Sequence, residues 1–268
     1  MPRFKLTIEY AGTHYSGWQI QKNAKTIAGE IDRAVRAITG RIDFELYGSG
    51  RTDAGVHALA QVAHLDVVTP LAPEALVRQL NEALPSDINI LSAVGVPHRF
   101  HARHDAVARR YLYQIARRRS AAGKEVGKEF VWWVREPLDV GRMRNAATAF
   151  VGFKNFETFA ESQGPAQADR SALVLVDRLD IEESHDLILV SIEGSHFLWK
   201  MVRRIVGVLV EIGRGTLEPG AAASLLTAAS GEPARLTAPP AGLFLERVYY
   251  TGDERGAAIA PAAPRRQP

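Results

Sequence analysis

Apolar positions along the chain recur in two rhythms. From Arg3 to Tyr10 they alternate with polar ones, the period-two pattern of a half-buried strand. Ile27, Ile31, Ala34, Val35 and Ile38 then fall at helical spacing, with Thr26 placed to cap the helix and Gly40 to stop it. Residues 44–47 and 61–68 read as strands, Pro73 opens a helix running towards Leu84, and residues 88–96 read as another strand. The theme repeats: 110–116 as strand, 140–151 as helix, 173–181 and 187–193 as strands. A long apolar helix from about Phe197, a further helix and a closing strand over 243–250 complete the pattern.

Two similar α+β halves with antiparallel-looking strands predict a duplicated sheet whose faces are covered by helices. The boundary is placed near residue 105, giving an N-terminal half over 1–105 and a C-terminal half over 106–251. Beyond Gly252 the chain is rich in Ala, Pro and Arg and carries too little apolar surface to order itself. Residues 252–268 are therefore expected to be a disordered tail.

Composition narrows the chemistry. A chain of 268 residues, 46% hydrophobic and 24% charged, can bury a sizeable core. It has no cysteine, which excludes thiol catalysis, disulfides and thiolate metal sites. Its N-terminus passes into the first strand without an apolar signal core, and no apolar run is long enough to span a bilayer. A cytoplasmic protein with no membrane partner is expected. The net charge of +3 is too small to name a partner, but Arg99, Arg103, Arg109, Arg110, Arg117, Arg118 and Arg119 lie close together around Tyr111 and Tyr113. Guanidinium forks suit phosphates and flat rings suit unstacked bases, so this segment fits looped RNA; a solvated charged strand edge is the alternative. His98, His101 and His104 show no recognised ligand pattern, and no metal is expected.

The most informative stretch is Gly48-Ser49-Gly50-Arg51-Thr52-Asp53-Ala54-Gly55-Val56-His57-Ala58, between two predicted strands. Glycines at 48, 50 and 55 can bend such a loop and hold it open around Asp53. A Walker loop would need a lysine that is missing, and a dinucleotide fingerprint would need glycine at position 53, so no nucleotide cofactor is implied. On composition alone the alternative is a glycine turn in which Asp53 accepts backbone hydrogen bonds.

This run, continued as GSGRTDAGVHALAQVAHLDV, resembles the signature of the TruA family of tRNA pseudouridine synthases. Tyr10 to Gln19 resembles that family's N-terminal loop, Phe100-His101-Ala102-Arg103 with Ala108 to Tyr113 its second motif, Phe197 to Gly207 its third, and Ala238 to Leu243 its last. The resemblance covers about residues 3 to 250. Departures are Lys154 and Asn155 in place of a common His-Asp pair, His104 in place of a frequent phenylalanine, and the tail after Gly252.

The resemblance implies an α+β pseudouridine synthase fold, two ferredoxin-like halves sharing a mainly antiparallel sheet. It implies an isomerase that converts uridine to pseudouridine at positions 38, 39 or 40 of the tRNA anticodon stem-loop by base flipping. It also implies a homodimer and no cofactor. Asp53 would form a covalent intermediate with the sugar or the base, with Arg203 as its counter-charge and Tyr111 stacking on the base as a candidate for proton removal. Arg51 would fill the space the flipped uridine leaves, Leu243 would wall the pocket, and Arg109 and Arg110 would bind RNA. On periodicity alone Phe197, Leu198, Met201, Val202, Ile205, Val206 and Leu209 are helix core, and Lys200, Arg203 and Arg204 a solvated face. A non-catalytic RNA-binding protein and an enzyme acting on another RNA remain alternatives.

Overall fold

A computed structural model describes residues 1–118, 126–161 and 171–264 of the chain. Arg119 of the basic run and residues 265–268 of the tail lie outside them. The described chain forms two compact units. One is built mainly from Met1–Val107 with Phe244–Arg255, the other from Ala108–Leu243 with Gly256–Ala262.

In the first unit β1 (Arg3–Tyr10) is flanked antiparallel by β3 (His57–Asp66) and by β4 (Ile88–Val96). β2 (Glu45–Gly48) adds antiparallel to β3, and β10 (Leu243–Tyr250) pairs in parallel with it through Phe244 opposite His57. Alternation in β1 sends Phe4, Leu6, Ile8 and Tyr10 into the core. Helix α1 (Ile27–Thr39) starts where Thr26 accepts from the Gly29 amide and stops where Gly40 turns left-handed at φ 65°. Its buried Ile27, Ile31, Ala34 and Val35 form the expected stripe. Helix α2 (Pro73–Ala83) opens on its proline and buries Leu76 and Leu80. Each such buried Leu or Ile contributes about 1.5–3 kcal/mol.

In the second unit the strand order is β5 (Ala106–Ala116), β9 (Leu187–Gly194), β8 (Leu173–Ser184) and β7 (Gly152–Asn155), all antiparallel neighbours, with the short β6 (Trp132–Trp133) parallel to β5. Helices α3 (Val140–Ala147), α4 (Met201–Arg214), α5 (Ala221–Thr227) and α6 (Glu232–Arg235) complete it. Helix α4 is buried along most of its length, and residue 207 must be glycine because a Cβ there would sit 1.7 Å from the Leu236 carbonyl oxygen. The class is α+β with mainly antiparallel strands. No helix among the described residues is long and apolar enough to cross a membrane.

Several elements differ from the periodicity. β3 begins at His57, four residues early, because Ala58 pairs with Tyr10 and with Leu245, partners invisible to local pattern. α4 begins at Met201 because Lys200 is left-handed at φ 61°, while Phe197 packs edge-on against Tyr111 with ring centroids 5.2 Å apart. The closing strand belongs by its contacts to the first unit from Phe244 onward, although it follows the second in sequence. The segment after Gly252 has no helix or strand among its described residues, yet it is not a free tail: Ala257 and Ala262 are hydrogen-bonded to Arg110 and Gln114.

Candidate active site

In the first unit Arg51 and Asp53 sit together on the loop joining β2 to β3, and that loop is fastened at its start, middle and end. At the start the Ser49 amide donates to the Val62 carbonyl at 2.7 Å, its hydroxyl to Gln61 Oε1 at 2.7 Å, and Gln61 Nε2 to the Gly50 carbonyl at 3.1 Å. In the middle the Thr52 hydroxyl is 2.8 Å from the buried Tyr10 hydroxyl, and the Thr52 carbonyl accepts from the Trp18 amide at 3.1 Å. At the end the Val56 amide closes a turn onto the Asp53 carbonyl at 3.1 Å, and the Gly55 amide donates to the Tyr15 carbonyl at 3.2 Å.

The clamp on this loop is the segment following β1. Gly12 donates its amide to Nδ1 of the fully buried His57 at 3.0 Å, and a Cβ at Gly12 would lie 1.9 Å from the Val56 carbonyl oxygen. Gly17, at φ 88°, lies so close that a Cβ would be 2.5 Å from the Thr52 carbonyl oxygen and 3.1 Å from the Asp53 carbonyl carbon. The Gly17 and Trp18 carbonyls accept the first amides of α1, so the clamp is itself held by a helix N-terminus. On this scaffold Asp53 is half-buried and Arg51 exposed. A carboxylate on a loop fixed by main-chain bonds has little freedom to lose when it engages a substrate.

The second unit brings Arg109, Tyr111 and Tyr113 to one face of β5 and Arg110, Leu112 and Gln114 to the other, as strand alternation demands. Arg109 donates to the Ser195 carbonyl at 2.9 Å. Tyr111 is half-buried against Phe197, whereas Tyr113 is fully buried and donates to the Pro239 carbonyl at 2.8 Å. Burial raises the Tyr113 phenol well above its ordinary pKa, partly opposed by the charge of Arg203, so Tyr113 stays a neutral donor. Arg203, half-buried in the first turn of α4, is held at both ends: its Nε donates to the Ala238 carbonyl at 2.7 Å and its own carbonyl accepts from the Ala238 amide at 3.0 Å. Leu243 is buried.

Not every arginine of the basic run faces solvent. Arg99 and Arg103 are exposed in the first unit, Arg117 pairs with Glu183, and Arg118 is 3.6 Å from Asp186. Arg110 is 4% exposed, its guanidinium turned inward to Ser191 Oγ at 2.9 Å and the Ala257 carbonyl at 2.7 Å. Arg204 is likewise no solvated residue: it is buried, donating to the Ala160 carbonyl at 2.6 Å and to Glu161 at 3.1 Å. Lys200 reaches the same carboxylate at 2.6 Å, and these two cations hold Glu161 below the usual carboxylate range.

The histidines near residue 100 are occupied structurally. His101 Nδ1 accepts from the Arg103 and His104 amides, and His98 lies 3.5 Å from Asp66. Among the described residues no three His, Cys, Asp or Glu side chains are grouped to hold a metal ion. Tyr10, Gly12, Gly17 and His57 were not legible as loop-positioning residues. All four stand inside motif-like stretches, but their partners lie 35 to 45 residues away, which no local pattern reports.

The model of one family, described as tRNA pseudouridine synthase, matches residues 6–105 and 146–251. Tested against curated proteins, the chain is 41% identical over 253 residues to tRNA pseudouridine synthase A of Nitrobacter winogradskyi, covering 94% of this chain and 97% of that protein. It is 41% identical over 251 residues to the protein of that name from Rhodopseudomonas palustris strain BisB18, covering 93% and 100%. Against the one from Sinorhizobium fredii it is 39% identical over 253 residues, again covering 93% and 100%.

Proposed function

The chain belongs to the tRNA pseudouridine synthase family and is an isomerase acting on tRNA uridine, and on that premise we propose that it acts at positions 38, 39 or 40 of the anticodon stem-loop with Asp53 as the catalytic carboxylate. The observation that carries the assignment is the half-buried Asp53 on a loop pinned at Ser49, Thr52, Gly55 and His57.

The reaction breaks the bond from ribose C1′ to uracil N1, turns the base, and joins C1′ to C5. The C5 proton leaves and N1 gains one, so no atom is lost overall. An ionised carboxylate attacking either C1′ or the base gives a covalent intermediate and is expelled again when the new carbon–carbon bond is complete. The target uridine must leave its stack, at a cost of a few kcal/mol, and the exposed Arg51 is suited to fill the vacated space. Arg203, its Nε fixed by the Ala238 carbonyl, is the candidate counter-charge for the catalytic carboxylate. The half-buried Tyr111 is the ring offered to the base, Leu243 its apolar wall, and Arg109 a phosphate contact. Arg110 is left out of the RNA contacts because it is buried, with Nε and Nη1 bonded to Ser191 and Ala257. The working form is read as a cytoplasmic homodimer, which light scattering of the purified protein tests.

The deciding experiment maps pseudouridine in anticodon-arm tRNA after treatment with the protein and with Asp53→Asn, alongside a binding assay. The reading expects product only from the unaltered protein, with the variant still binding tRNA. Folded, unaltered protein that binds tRNA and makes no pseudouridine would transfer the reading to a non-catalytic RNA-binding protein. Product confined to other RNAs would reassign the substrate and leave the chemistry standing.

A further inference from the structure

The face of β5 turned away from Tyr111 carries two buried polar side chains whose partners come from the far end of the chain. Gln114 is fully buried, and its amide reads the main chain of one residue on both sides: Nε2 donates to the Ala262 carbonyl at 2.9 Å, and Oε1 accepts from the Ala262 amide at 2.8 Å. The same Nε2 also donates to the Phe130 carbonyl at 2.9 Å. Four residues earlier, Arg110 donates from Nη1 to the Ala257 carbonyl at 2.7 Å while its Nε holds Ser191.

The spacing shows how the segment lies. Arg110 and Gln114 are four strand residues apart, about 13 Å. Ala257 and Ala262 are five residues apart and span at most roughly 16–18 Å when fully extended. The segment therefore has enough reach to meet both anchors, and it meets them in the same chain order as β5. Its sequence, Gly256-Ala257-Ala258-Ile259-Ala260-Pro261-Ala262, allows this close approach because only Ile259 carries a side chain larger than proline, and Ile259 is half-buried. Residues 256–262 group with the second unit, and they lie beyond residue 251, where the family match ends.

We propose that this face of β5 is a docking groove for an extended, small-residue peptide, read through its main chain by Gln114 and Arg110, and that the chain's own segment 256–262 occupies it in cis. Main-chain recognition by side-chain amides and guanidinium groups gives affinity without demanding particular side chains, as strand addition does. The docked segment lies against the strand that presents Arg109 and Tyr111 on its other face, and so braces it. The proposal is independent of the catalytic roles given above.

Two measurements test it, neither using activity as the readout. In the full-length protein, hydrogen exchange should show the Ala262 amide protected at least tenfold over an unstructured chain, with protection lost in Gln114→Met. In a chain ending at Asp253, a labelled synthetic peptide of residues 254–264 should bind saturably, while the full-length protein, its groove filled, should bind it at least tenfold more weakly. Exchange at the unstructured rate in the full-length protein overturns the proposal, as does equal peptide binding by the two chains. If the shortened chain fails to fold, the exchange measurement decides alone. Protection that appears only at concentrations where the protein is oligomeric would assign the groove to a second copy's segment and overturn docking in cis.

Discussion

Gly17→Ala isolates the clamp on the Asp53 loop. Two costs follow from the geometry. The left-handed φ of 88° penalises any Cβ by about 1–2 kcal/mol. The new Cβ would also stand 2.5 Å from the Thr52 carbonyl oxygen and 3.1 Å from the Asp53 carbonyl carbon, atoms of main chain that cannot rotate aside. Relieving that overlap means separating the two loops by roughly 1 Å, which adds about 1–3 kcal/mol by analogy with overpacked cores. The total loss is about 2–5 kcal/mol. Displacing a reacting group by 1 Å can cost about 100-fold in rate, so kcat should fall by about 10- to 100-fold with KM changed far less.

Gly40→Ala is the control. Gly40 is left-handed at φ 65° with nothing within 4 Å, so it should lose only the backbone term, about 1 kcal/mol, and keep full kcat. Urea unfolding gives the stabilities, and single-turnover release of tritium from tRNA labelled at uridine C5 gives the chemistry, because the C5 proton must leave. If Gly17→Ala is no less stable than Gly40→Ala and retains its kcat, the loop contact does not position Asp53 and the reasoning fails.

His64 should make the protein acid-sensitive. It is buried, its Nδ1 accepts from the Ala102 amide at 3.2 Å, and burial together with the Arg3 charge lowers its pKa to about 4. The folded state therefore binds the proton less readily than the unfolded state, whose pKa is about 6.5. Stability is fully present above pH 6.5 and declines as pH falls towards 4, by up to about 3 kcal/mol. Asp66, lowered by its bond to Arg3, adds loss in the same direction at still lower pH. Urea midpoints at pH 7 and pH 5 should differ clearly in the native protein and much less in His64→Asn; equal slopes would refute the assignment. Arg204→Met should cost about 2–4 kcal/mol in thermal or urea unfolding, since it strips buried bonds to Ala160 and Glu161. A change under 0.5 kcal/mol would mean that Lys200 alone satisfies Glu161.

Sequence by itself determined the features that are local. Thr26, Gly40 and Pro73 act on amides and dihedral angles within four residues, so α1 and α2 begin and end where the pattern places them. Alternation does the same for β1, and the signature around Asp53 identifies the family because the motif is contiguous. What tertiary structure decided is where polar groups find partners distant in sequence. Neither the basic run nor the tail composition reveals that Arg110 and Gln114 turn inward to meet Ala257 and Ala262, 147 and 148 residues away. Arg204 resembles a surface residue on a helical wheel until the Ala160 carbonyl, 44 residues off, accepts its hydrogen bond. The clamp of Gly12 and Gly17 on the Asp53 loop arises from the close approach of two backbones, set by packing and invisible to periodicity.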